Sequence, residues 1–180
     1  MRLVLASGSP RRRELLSMAG FEVEARRPEV DESRLKTESI EAMLLRLAEA
    51  KAAAVGEAAV PIVAADTVVE LDGDVLGKPR DAADATAMLR RLSGRRHRLL
   101  TGFAVLADGS VHREVVESWV TLRELSDASI DAYVGSGDPL DKAGSYGIQS
   151  LGAALVATVE GSYTNVVGLP LDEVVASLNG

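Results

Sequence analysis

The stretch Leu3-Val4-Leu5-Ala6-Ser7-Gly8-Ser9-Pro10-Arg11-Arg12-Arg13-Glu14-Leu15-Leu16 decides the fold. Its apolar run, residues 3–6, reads as a short buried strand. Small residues follow, and then a helix start. Ser9 stands at the N-cap, and Pro10 takes the first helical position, where a missing N–H is tolerated. The predicted helix covers 10–19 and stops at Gly20, a residue suited to the turn past a helix end. A strand that runs directly into a helix is the first half of an α/β unit. The arginines at 11–13 fall in the first helical turn, at the positive end of the dipole. An exposed cation there is disfavoured by roughly 0.3–1 kcal/mol. An anion on the helix N-terminus reverses that sign, because backbone N–H groups and guanidinium forks both suit phosphate. On this motif alone, a phosphate seat and a solvated basic helix start stand as alternatives.

Working outward, residues 21–25 read as a second strand and 26–38 as a polar, irregular segment carrying Asp31-Glu32. Apolar residues at Ile40, Met43, Leu44, Leu47 and Ala48 have helical spacing and predict a helix over 40–55. Residues 62–65 form a buried-type strand ending at Asp66. Residues 68–71 and 75–76 flank Asp72-Gly73-Asp74, a hairpin signature. Asp81 caps a helix over 82–92. Strands are predicted over 98–106 and 111–122, joined through Asp108-Gly109, then a short helix from Ser126-Asp127 to Val134. Residues 135–152 read as a long glycine-rich loop, and 153–159 with 163–167 as a last hairpin around Glu160-Gly161-Ser162. Pro170 opens a C-terminal helix. Early βα alternation with later antiparallel pairs gives an α/β (α+β) class: a mixed β-sheet flanked by helices. The 180 residues suffice for a single domain, 1–180, that has room for two lobes.

Composition limits the function. The net charge is −7, and phosphate neutralisation dominates nucleic-acid affinity, so no nucleic-acid partner is expected. Cysteine is absent, which excludes disulfides and thiolate chemistry. With only His97 and His112, a multi-histidine metal site is excluded, and carboxylates are left to bind any hard cation. No apolar run approaches a membrane span, and the opening apolar stretch is too short for a signal peptide. The expectation is a cytoplasmic protein with no membrane partner.

Four further segments hold charge or polar groups in informative places. Asp66, in Ala64-Ala65-Asp66-Thr67, sits at the carboxyl end of a buried strand, where α/β sheets commonly place their sites. It suits a general base or a cation ligand; an Asp satisfying nearby backbone donors is the plain alternative. Lys78, between Gly77 and Pro79, is confined to extended geometry, but from spacing alone a solvated loop lysine is the favoured reading. Lys51 continues the apolar stripe of its helix, so either its stem snorkels or its head reaches a buried anion. Gln149 closes Asp138-Pro139-Leu140-Asp141-Lys142-Ala143-Gly144-Ser145-Tyr146-Gly147-Ile148-Gln149. Its amide donates and accepts, as a uracil- or thymine-like edge requires. The alternative is a surface loop packed by its own side chains. His97 is read as structural or solvent-facing and Trp119 as a core residue. No Walker loop, dinucleotide fingerprint or nucleophile elbow is present.

Taken together, the motifs resemble the Maf family of nucleoside triphosphate pyrophosphatases nearly end to end. The carriers are S-G-S-P-R-R at 7–12, V-D-E at 30–32, R-L-A-E-A-K at 46–51, A-D-T at 65–67 and G-K-P at 77–79. They continue with L-S-G-R-R-H at 92–97, T-G at 101–102, D-K-A-G-S-Y-G-I-Q at 141–149 and V-G-L-P at 167–170. Each is a small signal, but their order and spacing are specific. The resemblance implies a mixed sheet in two lobes with a central cleft. It also implies hydrolysis of a nucleoside triphosphate between its α and β phosphates, a divalent cation (Mg or Mn) and a homodimer. It puts the carboxylate base on Asp66, phosphate contacts on Ser7, Arg11, Arg12, Lys51 and Lys78, and the metal on Glu32 and Asp66. Arg11, Thr67 and Gln149 resemble the marks of a branch acting on dTTP and UTP. A nucleotide-binding regulator of cell division without turnover is the alternative; the carboxylates at 32 and 66 speak against it, since added negative charge does not help a pure triphosphate binder.

Overall fold

The computed structural model describes residues 1–56 and 58–180. The opening strand–helix unit forms as expected: β1 (Arg2–Ala6) runs into α1 (Pro10–Met18). Next come β2 (Glu22–Arg26), α2 (Ile40–Ala54), β3 (Ile62–Leu71), β4 (Asp74–Leu76) and α3 (Ala82–Leu92). The chain continues through β5 (Arg96–Ala107), β6 (Ser110–Leu122), α4 (Asp127–Gly135), β7 (Val156–Glu160), α5 (Tyr163–Val167) and α6 (Leu171–Asn179). The strands hydrogen-bond in the order β2-β1-β3-β5-β6-β7, with β4 pairing β3, and make one mixed sheet flanked by helices. β1 is parallel to both β2 and β3, whereas β3–β4 and β6–β7 are antiparallel.

The chain divides into two compact units. The first comprises Met1–Thr67, Thr101–Val116 and Gly168–Gly180. Its interior gathers Val4, Ala6, Ala52, Ile62 and Ala64. Helix α2 starts where Ser39 accepts the Ala42 N–H (3.1 Å), and it buries Ile40, Met43, Leu44, Leu47, Ala48, Lys51 and Ala52. That stripe has helical spacing, and a lysine stands on it. Gly102 of β5 meets the helix so closely that a Cβ would lie 2.7 Å from Leu44 Cβ and 2.8 Å from the Leu44 carbonyl carbon. Only glycine fits there, for steric reasons.

The second unit comprises Val68–Leu100 and Glu117–Val167. Its core includes Val69, Leu71, Leu89, Leu92, Val120, Leu122, Ile130 and Tyr146. Asp81 and Ser126 cap α3 and α4 by accepting the Asp84 and Ser129 amides. His97 is buried, and its Nε2 lies 2.7 Å from Tyr146 Oη. Burial pulls the ring's pKa down to about 4, against an opposing hydrogen bond that Nδ1 makes to the Arg95 carbonyl, and it stays neutral near pH 7.

Several expectations change. The last hairpin does not form: Leu151–Leu155 is a 3-10 turn, Val156–Glu160 is β7, and 163–167 is the helix α5. Ser162 explains this, because its Oγ accepts the Asn165 N–H (3.2 Å) as a helix cap does. The two runs 62–65 and 68–71 are one ten-residue strand, so Asp66 lies inside β3 and not at its end. Pairing with β1 reaches only Ala6↔Ala64, because the chain turns at Ser7 into α1; beyond that point β3 has β5 and β4 as its sheet neighbours. The long loop 135–152 contains 3-10 turns at Asp138–Asp141 and Ala143–Ser145. Trp119 is half-exposed, not core. Arg96 lies 3.9 Å from its ring centroid, and its Nε1 donates to Glu117 (2.7 Å). No helix among the described residues is long and apolar enough to cross a membrane.

Two outcomes are expected. Gly102→Ala lowers stability by about 1–3 kcal/mol, the usual cost of overpacking, read by urea denaturation. For His97, the unfolded chain takes up a proton near pH 6.5, while the folded ring resists until about 4. The unfolded state therefore binds more protons in that window, and stability falls as pH drops through it, by roughly 3 kcal/mol in all. Melting curves from pH 7 to 4 should decline less steeply for His97→Gln than for the parent.

Candidate active site

The first unit assembles its charged groups around one buried arginine. Arg12 projects from the first turn of α1, and its guanidinium is buried. Nε donates to the Gly168 carbonyl (2.7 Å), Nη1 to the Ala65 carbonyl (2.8 Å) and Ser7 Oγ (3.1 Å), and Nη2 to Thr67 Oγ1 (3.0 Å). Four of its five N–H groups are thus committed. Thr67 Oγ1 also lies 2.9 Å from Thr101 Oγ1. Burial pulls the Arg12 pKa below the ordinary arginine value; Asp66 and Glu32 act against this, and Arg11 adds to it. The fork thereby ties β1's exit, β3 and the turn before α6 to the helix start, and Thr67 carries the link on to Thr101 of β5.

The helix start is open toward solvent. Ser9 begins the helix with Pro10 behind it, yet its side chain makes no cap bond, and the first turn holds no acid. Ser7 Oγ takes the Ser9 amide instead (3.2 Å). The remaining first-turn N–H groups have no partner within the helix, as at any helix N-terminus. Arg11 is half-buried there, and Gly8 is exposed.

Lys51 resolves the question its position raised: its head reaches anions. Nζ lies 2.5 Å from Asp66 Oδ1 and 2.7 Å from Glu32 Oε1. The Lys51 side chain is only 8% exposed and that of Asp66 16%, whereas Glu32 is 61% exposed. One buried ammonium therefore joins a strand carboxylate to a loop carboxylate that faces water. The loop is itself fixed. Arg46 grips Glu38 through two bonds (2.7 and 2.8 Å) and donates to the Ser33 carbonyl (3.0 Å), while Asp31 accepts the Ser33 amide (2.9 Å). The Arg46 hydrogen bond holds the Glu38 carboxyl below its ordinary pKa. Arg46 and Glu38 are site-supporting residues for which the sequence reading assigned no role. Eight-residue separation between a helix arginine and a loop glutamate carries no local signal.

Glu32 and Asp66 are the two carboxylates that Lys51 brings together. Among the described residues no group of three histidine, cysteine, aspartate or glutamate side chains converges. Two carboxylates still suit a magnesium-type ion, which completes its shell with water and phosphate oxygens.

Lys78 and Gln149 belong to the second unit. Lys78 is exposed, and it follows Gly77, whose carbonyl accepts the Gly144 amide (3.1 Å), and precedes buried Pro79. Its ammonium thus extends from a fixed backbone. Gln149 is exposed as well.

A Maf-like protein family model matches residues 2–180. The chain belongs to the Maf family. A relative from Anaeromyxobacter dehalogenans, named dTTP/UTP pyrophosphatase, is 53% identical over 98% of this chain and 92% of its own. A Vibrio cholerae protein of the same name is 50% identical over 96% of this chain and 94% of its own. The same name belongs to a Salmonella typhimurium relative, 50% identical over 95% and 88%. Among solved structures, a HAM1 protein from Coxiella burnetii matches with a TM-score of 0.49 and 18% identity, over 99% of this chain and 98% of that one.

In this Maf protein, Arg12→Lys is expected to cost about 2–4 kcal/mol in urea denaturation, because one ammonium cannot meet two carbonyls and two hydroxyls and leaves buried acceptors unpaired.

Proposed function

We propose that this Maf protein hydrolyses dTTP and UTP between the α and β phosphates, giving the nucleoside monophosphate and pyrophosphate. The observation that carries this is the Glu32–Lys51–Asp66 cluster held in the same unit as the Ser7–Arg12 helix start. It agrees with relatives of about half identity that are named for those substrates.

A triphosphate carries several negative charges that a protein of net charge −7 repels overall. Local cations must offset them. In the first unit the opening of α1, Ser7 and Arg11 bind phosphate oxygens, and Lys78 of the second unit is read as a phosphate-binding cation in its own right. Arg12 keeps one N–H for the ligand, and its other four hold the seat in shape. Lys51 occupies the space between two carboxylates and steadies both, and it is read as a phosphate contact alongside them. Asp66 Oδ1 is held by Lys51, which leaves Oδ2 to orient and deprotonate the attacking water. Water oxygen bonds to phosphorus, the bridging P–O bond breaks, and pyrophosphate leaves with its charge stabilised by the cationic side chains. Glu32 and Asp66 are the residues that would hold a divalent cation such as magnesium or manganese. That ion supplies neutralisation of phosphate charge when bound. In base recognition, the Gln149 amide of the second unit suits a pyrimidine edge, and Arg11 and Thr67 of the first unit are read as specificity residues in their own right. The reading takes the protein as a cytoplasmic homodimer acting on free nucleotides, with neither nucleic acid nor membrane as partner.

Purified protein with magnesium or manganese is expected to release pyrophosphate and dTMP from dTTP, and chelation by EDTA to stop the reaction. Asp66→Asn should lower kcat by about 10²–10⁴-fold while dTTP still binds. Orthophosphate as the sole phosphate product contradicts the reading, and so does binding without turnover.

A further inference from the structure

The segment that ends in Gln149 is braced far more heavily than a surface loop requires. Lys142 is buried, and its Nζ donates to the Asp138 carbonyl (2.5 Å), to Asp138 Oδ1 (3.1 Å) and to Asp141 Oδ1 (2.8 Å). The second oxygen of Asp138 accepts two hydroxyls, from Tyr133 of α4 (2.8 Å) and from Ser150 (2.6 Å). One carboxylate therefore binds a buried cation, a helix and the residue next to Gln149. The Lys142 stem fills the space beside Gly147: a Cβ there would lie 2.5 Å from Lys142 Cε. On the other flank, Tyr146 Oη is fixed at 2.7 Å from His97.

Gln149 stands between these anchors, exposed, with no side-chain hydrogen bond among the described residues. An unpaired amide on a pinned backbone is arranged for a ligand, since ordering costs that a flexible loop pays on binding are already met. We propose that Asp138 is a positioning residue, setting the Gln149 amide for the nucleobase edge through its bonds to Ser150, Tyr133 and Lys142. This rests on the reading of Gln149 as the base contact. The hydrogen bonds from Ser150, Tyr133 and Lys142 outweigh burial and hold the Asp138 carboxyl below its ordinary pKa, so it is ionised at neutral pH and accepts all three.

Asp138→Asn turns one acceptor into a donor facing either a hydroxyl or an ammonium. It is expected to raise the KM for dTTP about tenfold with kcat changed less than about twofold, because the contact is the same in ground and transition states. The dTTP dissociation constant, measured by calorimetry in EDTA, should rise in parallel, which reads the effect without turnover. In a Gln149→Ala background the same substitution should add less than about twofold, since there is no amide left to position. Ser150→Ala, which leaves Lys142 untouched, should repeat the pattern more weakly and serves if Asp138→Asn folds poorly. Equal effects in both backgrounds, or an unchanged dissociation constant, overturn the inference. A parent protein that binds dTTP without releasing pyrophosphate sinks the proposed reaction and leaves the positioning role standing; one that does not bind dTTP sinks both.

Discussion

The buried guanidinium of Arg12 is the contact on which the first unit depends. Its donors reach carbonyls at Ala65 and Gly168 and hydroxyls at Ser7 and Thr67, positions scattered along the whole chain. A buried cation is tolerated only where its hydrogen bonds are met and negative charge lies near. Both conditions are fulfilled, with Asp66 and Glu32 as the nearby anions. Ser7, which accepts from the same fork, is also tied to the helix start. Ser7 Oγ accepts the Ser9 amide, and the Ser9 side chain makes no cap bond.

Lys51 is the second consequence of an internal constraint. Helix α2 buries the stripe that includes Leu44, Leu47, Ala48 and Ala52, and position 51 lies on it. A lysine forced into that stripe must find anions, and Asp66 and Glu32 provide them. Packing of the helix thus fixes the ammonium, and the ammonium fixes two carboxylates. Gly102 permits this by letting β5 approach the Leu44 backbone without a side chain between them.

Much of this was legible in the chain. Glycine, proline and cap residues marked the helices, because their backbone preferences act locally. The strand–loop–helix opening and the odd placement of Lys51 came from spacing alone. The failures share a cause. Residues 163–167 have the β-branched, aromatic composition of a strand, yet Ser162 caps a helix, and Asn165 Nδ2 donates to Ser118 Oγ (3.0 Å) in the core. Trp119 was expected inside, but the arginine above its ring and the glutamate at its indole nitrogen are set by neighbouring strands. The roles of Arg46 and Glu38 depend on a loop folding back upon a helix.

By itself the sequence determined most of the strands and helices, though not the helix at 163–167, and which side chains carry charge at unusual places. Those properties follow from local dihedral preferences and from periodic burial. The tertiary structure alone decided which charges meet: that Arg12 spends its fork inside the protein, that Lys51 is shared by two acids, and that Asp138 braces the backbone around Gln149. Such pairings join positions many residues apart. Their geometry exists only after strands align and helices pack, since Coulomb attraction and hydrogen bonding act over ångströms and not along the chain.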